Sequence, residues 1–255
     1  MNEVMVDTIL PSVPIMPADP EIEAMMKAGI HLGHAKSKNH PAMQSYLFGV
    51  RNTVSLIDLL KTKQKLAEAL SVVCDIASRG GLILFVGTRP SVRGIVGETA
   101  RALSMPYLTE RWIGGALTNY KVIAKRVEYL KTLEHEKASG ALEKYTKKER
   151  LGKDQEITRL RRFFDGLRTL NKLPDALFVF DSTHDDTAVR EATLLKIPVI
   201  GLADTNTNVK LITYPIPSND DALSAVRYML GRISDAFAEG KRTAVGPKPE
   251  SVHTE

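Results

Sequence analysis

Three short stretches and one cysteine carry residue types able to do chemistry. FVGTRPSVRG, residues 85–94, puts a glycine after an apolar run and a helix start behind it, an arrangement that can hold an anion on backbone N–H groups. It matches neither G-x-G-x-x-G nor G-x-x-x-x-G-K-[ST], and Arg89 and Pro90 stand where glycines would let backbone approach a pyrophosphate. HLGH carries His31 and His34 three apart, and with Asp181, His184, Asp185 and Asp186 they offer ligand types for a divalent metal. Loop histidines that bond backbone or cap helices are the plainer reading, and the sequence does not show that these segments meet. DSTHDD, residues 181–186, sets carboxylates and a histidine after an apolar run, but no G-x-S-x-G elbow supplies a nucleophile. Asp185 and Asp186 fit the first turn of a helix, as Asp220 and Asp221 do after Asn219. Cys74, the sole cysteine, sits among Val72, Val73 and Ile76 in a helical pattern without an activating partner, so it reads as a small buried hydrophobe. The expectation is a chain with no catalytic residues, no cofactor and no metal.

RWIGGALTNYKVI, residues 111–123, offers a different chemistry. Arg111, Asn119 and Lys121 are donors, Trp112 and Tyr120 carry large faces, and Gly114 and Gly115 permit a tight turn or close approach to another chain. These are the groups of an RNA-contacting platform, although Trp112 serves equally well as a core residue beneath a joint.

The elements that position these residues follow from periodicity. Asp19 and Pro20 cap a short helix that should stop near Gly29. After a polar loop, NTVSLIDLL suggests a strand, followed by a helix from about Lys63 to Ser78. LILFVG (82–87) and ALFVFD (176–181) are short apolar runs of the kind buried on both faces, and IPVIGLAD repeats the pattern. Helices are expected from about Pro90 to Leu103, from about Asp185 to Lys196 and from Asn219 onward. Alternating buried strands and helices predict a doubly wound α/β domain of the Rossmann or flavodoxin type, with a mostly parallel sheet covered on both faces.

Residues 121–171 differ in character. Thr146 and Glu149 spell a capping box, and Ile157, Leu160, Phe164 and Leu167 are spaced for a helix seam that matches Ile123, Val127 and Leu130 upstream. The prediction is an antiparallel helical hairpin, coiled-coil in style, inserted between 19–120 and 172–238 of the α/β domain. A flexible arm is expected at 1–18, and a disordered tail at 239–255.

The chain has 255 residues, 43% of them hydrophobic and 25% charged, ordinary for a soluble globular protein. A net charge of +5 and a pI near 9.2 tilt toward a polyanionic partner. No run approaches a membrane span, and a cytoplasmic location is expected.

AGIHLGHAKSKNHPAMQSYLFGVRNTVSLIDLLKT, LILFVGT, RWIGGALTNYKVI, TKKE, LPDALFVFD, AVREA, IPVIGLADTNTN and PIPSNDDALSAV occur in one order. Together, from about residue 24 to 238, they resemble the bacterial-type second protein of the small ribosomal subunit. The resemblance implies an α/β/α domain interrupted by a helical hairpin. It also implies a non-catalytic, ribosome-bound protein that holds 16S ribosomal RNA where head and body meet and helps dock the large messenger-binding protein built of OB-fold repeats. No homo-oligomer or membrane partner is expected. The chain departs from the family pattern in AKSKNHP, which has no tryptophan, and in DTNTNVKLITYPIP, which lacks the Asp-Pro step after DTN.

RNA contacts of such a protein rest on phosphate and ribose groups matched to RNA shape. The expected contacts are Lys36, Lys38 and Arg51 in the N-terminal loops, Arg89 and Arg93 after LILFV, and Arg111, Trp112, Asn119, Tyr120 and Lys121 at the joint. Lys147, Lys148, Arg150 and Arg161 extend them along the hairpin. Two rivals remain open: a nucleotide- or phosphometabolite-binding α/β enzyme or regulator, and a scaffold whose hairpin docks another protein.

Overall fold

A computed structural model describes residues 19–244; the expected N-terminal arm at 1–18 and the segment 245–255 lie outside the described residues. Helix α1 (Pro20–Lys27) begins where Asp19 accepts a hydrogen bond from the Glu21 N–H, with Pro20 in the first turn, and Gly29 follows at φ +78°. Strands β1 (Leu32–Ala35), β2 (Leu47–Arg51) and β3 (Val54–Ile57) form an antiparallel sheet in the order β1-β3-β2. Asn52 and Thr53 turn the β2–β3 hairpin with φ of 48° and 67°, both in the left-handed region that a two-residue hairpin of this hand requires.

This small sheet differs from the sequence expectation. Only β3 was foreseen, and it pairs with short exposed neighbours instead of joining the parallel sheet. The following helix α2 (Leu59–Ser78) starts four residues early, because the Asp58 carboxylate caps the N–H groups of Leu60 and Lys61.

The main sheet contains β4 (Ile83–Val86), β5 (Tyr107–Leu108), β6 (Ala176–Val179), β7 (Val199–Ala203) and β8 (Tyr214–Pro217). All are parallel, in the order β5-β4-β6-β7-β8. Helix α3 (Arg93–Leu103) links β4 to β5, and α4 (Tyr120–Ala138) and α5 (Lys147–Phe164) lie between β5 and β6. Helix α6 (Asp186–Leu194) links β6 to β7, and α7 (Leu223–Thr243) follows β8. Successive side chains of β4 leave on opposite faces. Ile83 and Phe85 join α2, α3 and α7 in one cluster, while Leu84 and Val86 join α6 and the start of α4 in another. Phe85, Phe178 and Phe180 stack at centroid separations of 5.6 and 4.9 Å within the first cluster. Burying each such ring stabilises the fold by roughly 1.5–3 kcal/mol.

Helix α7 continues past residue 239, where a tail was expected, through Thr243. Ala236 and Phe237 are buried in the first cluster, and Gly240 lies so close to α2 that an added Cβ would overlap the Cys74 carbonyl. This packing holds the last turn. Helix α3, conversely, starts at Arg93 instead of Pro90, because Thr88 and Arg89 are drawn toward carboxylates beyond the sheet.

Helices α4 and α5 pack through Leu130, Leu133, Ile157 and Leu160. Thr146 and Glu149 make reciprocal capping bonds at the start of α5.

Candidate nucleic-acid interface

Ligands of a doubly wound sheet bind beyond the carboxyl ends of its strands. Here that region holds a dense acidic group. Asp181, Asp185, Asp204 and Asp220 are all buried there. Arg89 enters from the loop after β4, with Nη1 3.0 Å from Asp220 and 3.2 Å from Asp181 and Nη2 2.6 Å from Asp221. Burial and the neighbouring Asp181 and Asp204 push the Asp220 carboxyl up to about 8, with Arg89 opposing. Burial likewise raises Asp185, which accepts 2.7 Å from the Thr88 hydroxyl, and Asp204. A phosphate placed here would face carboxylates. Gly87, the glycine of the GTRP loop, has a packing role, since a Cβ there would press on Val96 and Phe180.

His34 lies at the edge of this group, its Nδ1 3.1 Å from Asp204 and its Nε2 3.4 Å from Asp221. One imidazole and two carboxylates within 4.8 Å of one another are a donor set suited to a divalent cation. The segments that meet are therefore HLGH, DTN and NDD. His184 is exposed, and Asp185 is engaged with Thr88.

The RWIGG joint is organised from within. Glu191 on α6 accepts from Trp112 Nε1 (2.9 Å), the N–H groups of Gly115 (2.8 Å), Leu117 and Thr118 (both 3.1 Å), and the Thr118 hydroxyl (3.0 Å). Burial pushes this carboxyl up, but the five donors outweigh it and hold the group below its ordinary value. Trp112 is half-buried against the second cluster, and Tyr120, half-buried beside it, donates its hydroxyl to the Leu170 carbonyl at 2.7 Å. Both aromatic residues are thus hydrogen-bonded inward as props of the joint, the alternative that the sequence left open for Trp112. The Arg89 side chain is 27% exposed and its guanidinium faces three carboxylates.

The other expected contacts lie outside. Lys36, Lys38 and Arg51 are exposed, and Lys36 bonds through its N–H to Thr53 while Arg51 pairs with Val54, so two of them share one end of the small sheet. Asn119 and Lys121 are exposed at the start of α4. Lys147, Lys148 and Arg150 crowd the first turn of α5, exposed and without an ion pair among the described residues. Arg93 lies 3.7 Å from Glu110, which also receives Arg162 at 2.7 Å, and Arg161 pairs with Glu134. Glu134 is gripped by Arg168 at 2.7 Å through both oxygens, and Arg168, then Arg161, hold its carboxyl down to about 2 against the effect of burial.

Arg111 sits 5.4 Å from the centre of the Phe163 ring, at the mouth of a groove of about 310 Å³ between α4 and α5 that Arg126 and Arg159 also line. Phe163, Arg126, Arg159 and Glu191 escaped the sequence reading of the site. Glu191 left a usable signal, an acid on the stripe formed by Ala188, Ala192 and Leu195.

The family model described as ribosomal protein S2 matches residues 25–240. The chain is 41% identical over 234 residues to the small ribosomal subunit protein uS2 of Thermus thermophilus, covering 92% of this chain and 91% of that protein. It is 40% identical over 220 residues to uS2 of Dictyoglomus thermophilum, covering 86% and 89%. Against uS2 of Roseiflexus castenholzii the identity is again 40%, covering 86% and 84%.

Proposed function

Because the chain belongs to the ribosomal protein S2 family, whose members are structural proteins of the small ribosomal subunit, we propose that it grips 16S ribosomal RNA through basic exterior surfaces while its α/β core does no chemistry. It is not an enzyme, and it works in translation as part of a ribonucleoprotein, ribosome-bound in the cytoplasm. Among the described residues no helix is long and apolar enough to cross a membrane.

The observation that carries the RNA reading is the first turn of α5. Lys147, Lys148 and Arg150 stand at the end of a helix whose dipole is already positive, and the one acid of that turn, Glu149, is turned back onto Thr146 as its cap, so three cations against one carboxylate leave a net positive end open to a further anion. Phosphate supplies that anion. Helices α4 and α5 present this end as an antiparallel hairpin inserted in the α/β domain. The reading is supported by ion pairs whose partners run in opposite senses, Lys137 with Asp154 at 2.7 Å and Glu134 with Arg161. Lys36, Lys38 and Arg51, with Arg93, Arg111, Asn119, Lys121 and Arg161, add phosphate and ribose contacts. A nucleotide-handling enzyme is disfavoured by the carboxylates that fill the crevice where its ligand would lie.

Docking of neighbouring ribosomal proteins, including the large OB-repeat messenger-binding protein, is supported by Phe48 and Val50 on β2, which are 79% and 48% exposed. Phe48→Ala is expected to reduce retention of that neighbour on subunits that still contain this chain.

Titration of the full chain against 16S RNA at several salt concentrations tests the main reading. Log affinity should fall linearly and steeply with log salt concentration, as counterions are released. A flat response refutes it.

A further inference from the structure

The groove between α4 and α5 has features that general phosphate binding does not require. Arg111, Arg126 and Arg159 line it, and Leu160 is buried at its floor. Phe163 forms a wall shared with a second hollow of about 530 Å³, where Arg162 approaches the same ring at 5.6 Å. Arg111 and Arg162 thus address this phenyl ring from two separate hollows.

Glu156 also lines the groove. Arg111, Arg126 and Arg159 line the same groove, yet Glu156 makes no ion pair with them, and among the described residues its one side-chain hydrogen bond is from the Tyr129 hydroxyl, at 3.4 Å. A carboxylate without an ion pair, bonded only at Oε2 by a long hydroxyl contact, keeps acceptor capacity for something else. A pure phosphate channel would exclude such a group, because it repels the ligand.

An aromatic wall, guanidinium planes and a free carboxylate together are the parts that recognise an unpaired base. Unstacked RNA bases are held by stacking on aromatic rings or arginine planes and by hydrogen bonds along the Watson–Crick edge. A carboxylate is acceptor-only, so it selects an edge rich in donors. Guanine alone offers two adjacent donors there, the ring N1–H and the exocyclic amino group. We propose that this groove captures one unpaired guanosine of the RNA, its base against Phe163 and Arg111, its Watson–Crick edge on Glu156, and its flanking phosphates on Arg126 and Arg159. The inference rests on the RNA-binding reading above and names a ligand for one part of that surface.

The test uses the full chain and three single-stranded heptanucleotides of uridine whose central residue is guanosine, inosine or adenosine. Inosine keeps N1–H and lacks the amino group, so guanosine should bind several-fold more tightly than inosine and about tenfold more tightly than adenosine. Glu156→Gln should abolish the preference, and Phe163→Leu should weaken all three by about tenfold, the loss of one stacking contact. Circular dichroism checks folding, and an Arg126→Ala/Arg159→Ala pair serves as the second variant should Phe163→Leu fail to fold. Equal affinity for the three oligonucleotides overturns the proposal, as does unchanged binding by Glu156→Gln or by the arginine pair. Loss of a protein neighbour from subunits in these variants, with RNA affinity intact, also overturns it and assigns the groove to protein contact. If 16S RNA still binds with a steep salt response while the groove variants are silent, only this inference fails. Absence of any RNA binding by the wild-type chain removes the reading beneath it as well.

Discussion

The indole nitrogen of Trp112 donates a 2.9 Å hydrogen bond to Oε1 of Glu191, which ties the loop before α4 to a helix 79 residues further along the chain. Four more donors converge on the same carboxylate. Glu191→Gln keeps the shape but turns an NH2 group toward those donors, and it is expected to cost about 3 kcal/mol. Trp112 is the sole tryptophan, so its emission reports this loop directly. The variant should show red-shifted emission and a lower urea midpoint.

The same carboxylate sets a pH dependence. Its folded value lies below the unfolded value of about 4.3, so its contribution is fully present above that pH and is lost as pH falls through the folded value. Wild-type tryptophan emission should therefore shift in acid while that of Glu191→Gln responds less.

Acid should also loosen α4 from α5 and from the turn that follows it. Glu134, held at about 2 chiefly by Arg168, contributes fully above about pH 4.3 and progressively less as pH falls toward 2. The stability difference between wild type and Glu134→Gln, measured by urea unfolding at pH 7, 4 and 2.5, is expected to shrink at the lowest pH.

Charge reversal of Lys147, Lys148 and Arg150 to Glu places acids at the positive end of a helix, which favours the fold. The unfolding midpoint should hold or rise. The slope of log affinity for 16S RNA against log salt concentration should lose about 2 to 3 units, and incorporation into subunits should fall.

Arg89→Ala provides the opposite signature. Removing the guanidinium leaves Asp181 buried without its cation, while Asp220, already pushed up to about 8, takes a proton, so the expected loss is that of broken buried hydrogen bonds, about 1–3 kcal/mol. The salt slope of RNA binding should not change, since Arg89 already faces three carboxylates.

What the sequence disclosed was local. Asp19 before Pro20, Thr146 three residues before Glu149, and the apolar runs at 83–86 and 176–179 each act on neighbours a few residues away, and each forms the expected cap or strand. The sequence was silent where a side chain answers to a distant partner. Nothing near Arg89 in the sequence shows that Asp220, 131 positions away, faces it. Trp112 and Tyr120 had the composition of a platform, but Glu191 and the Leu170 carbonyl decide which way they face. Strands β1 and β2 were missed because, unlike the comparably short β4 and β6, they are partly polar and exposed, with no continuous apolar run. Glu156 and Phe163 looked unremarkable in sequence because a groove between two helices has no linear signature.

The pairing of α2 with α7 has a consequence for biosynthesis. The two helices form the broadest helix–helix contact of the fold, yet Leu66 and Val73 leave the exit tunnel long before Met229, Ile233 and Phe237 are translated. A nascent chain stalled before residue 223 therefore carries a bare aliphatic strip on α2, the kind of surface chaperones bind and proteases exploit. Prematurely terminated copies should be cleared from the cell, leaving finished molecules to compete for assembly.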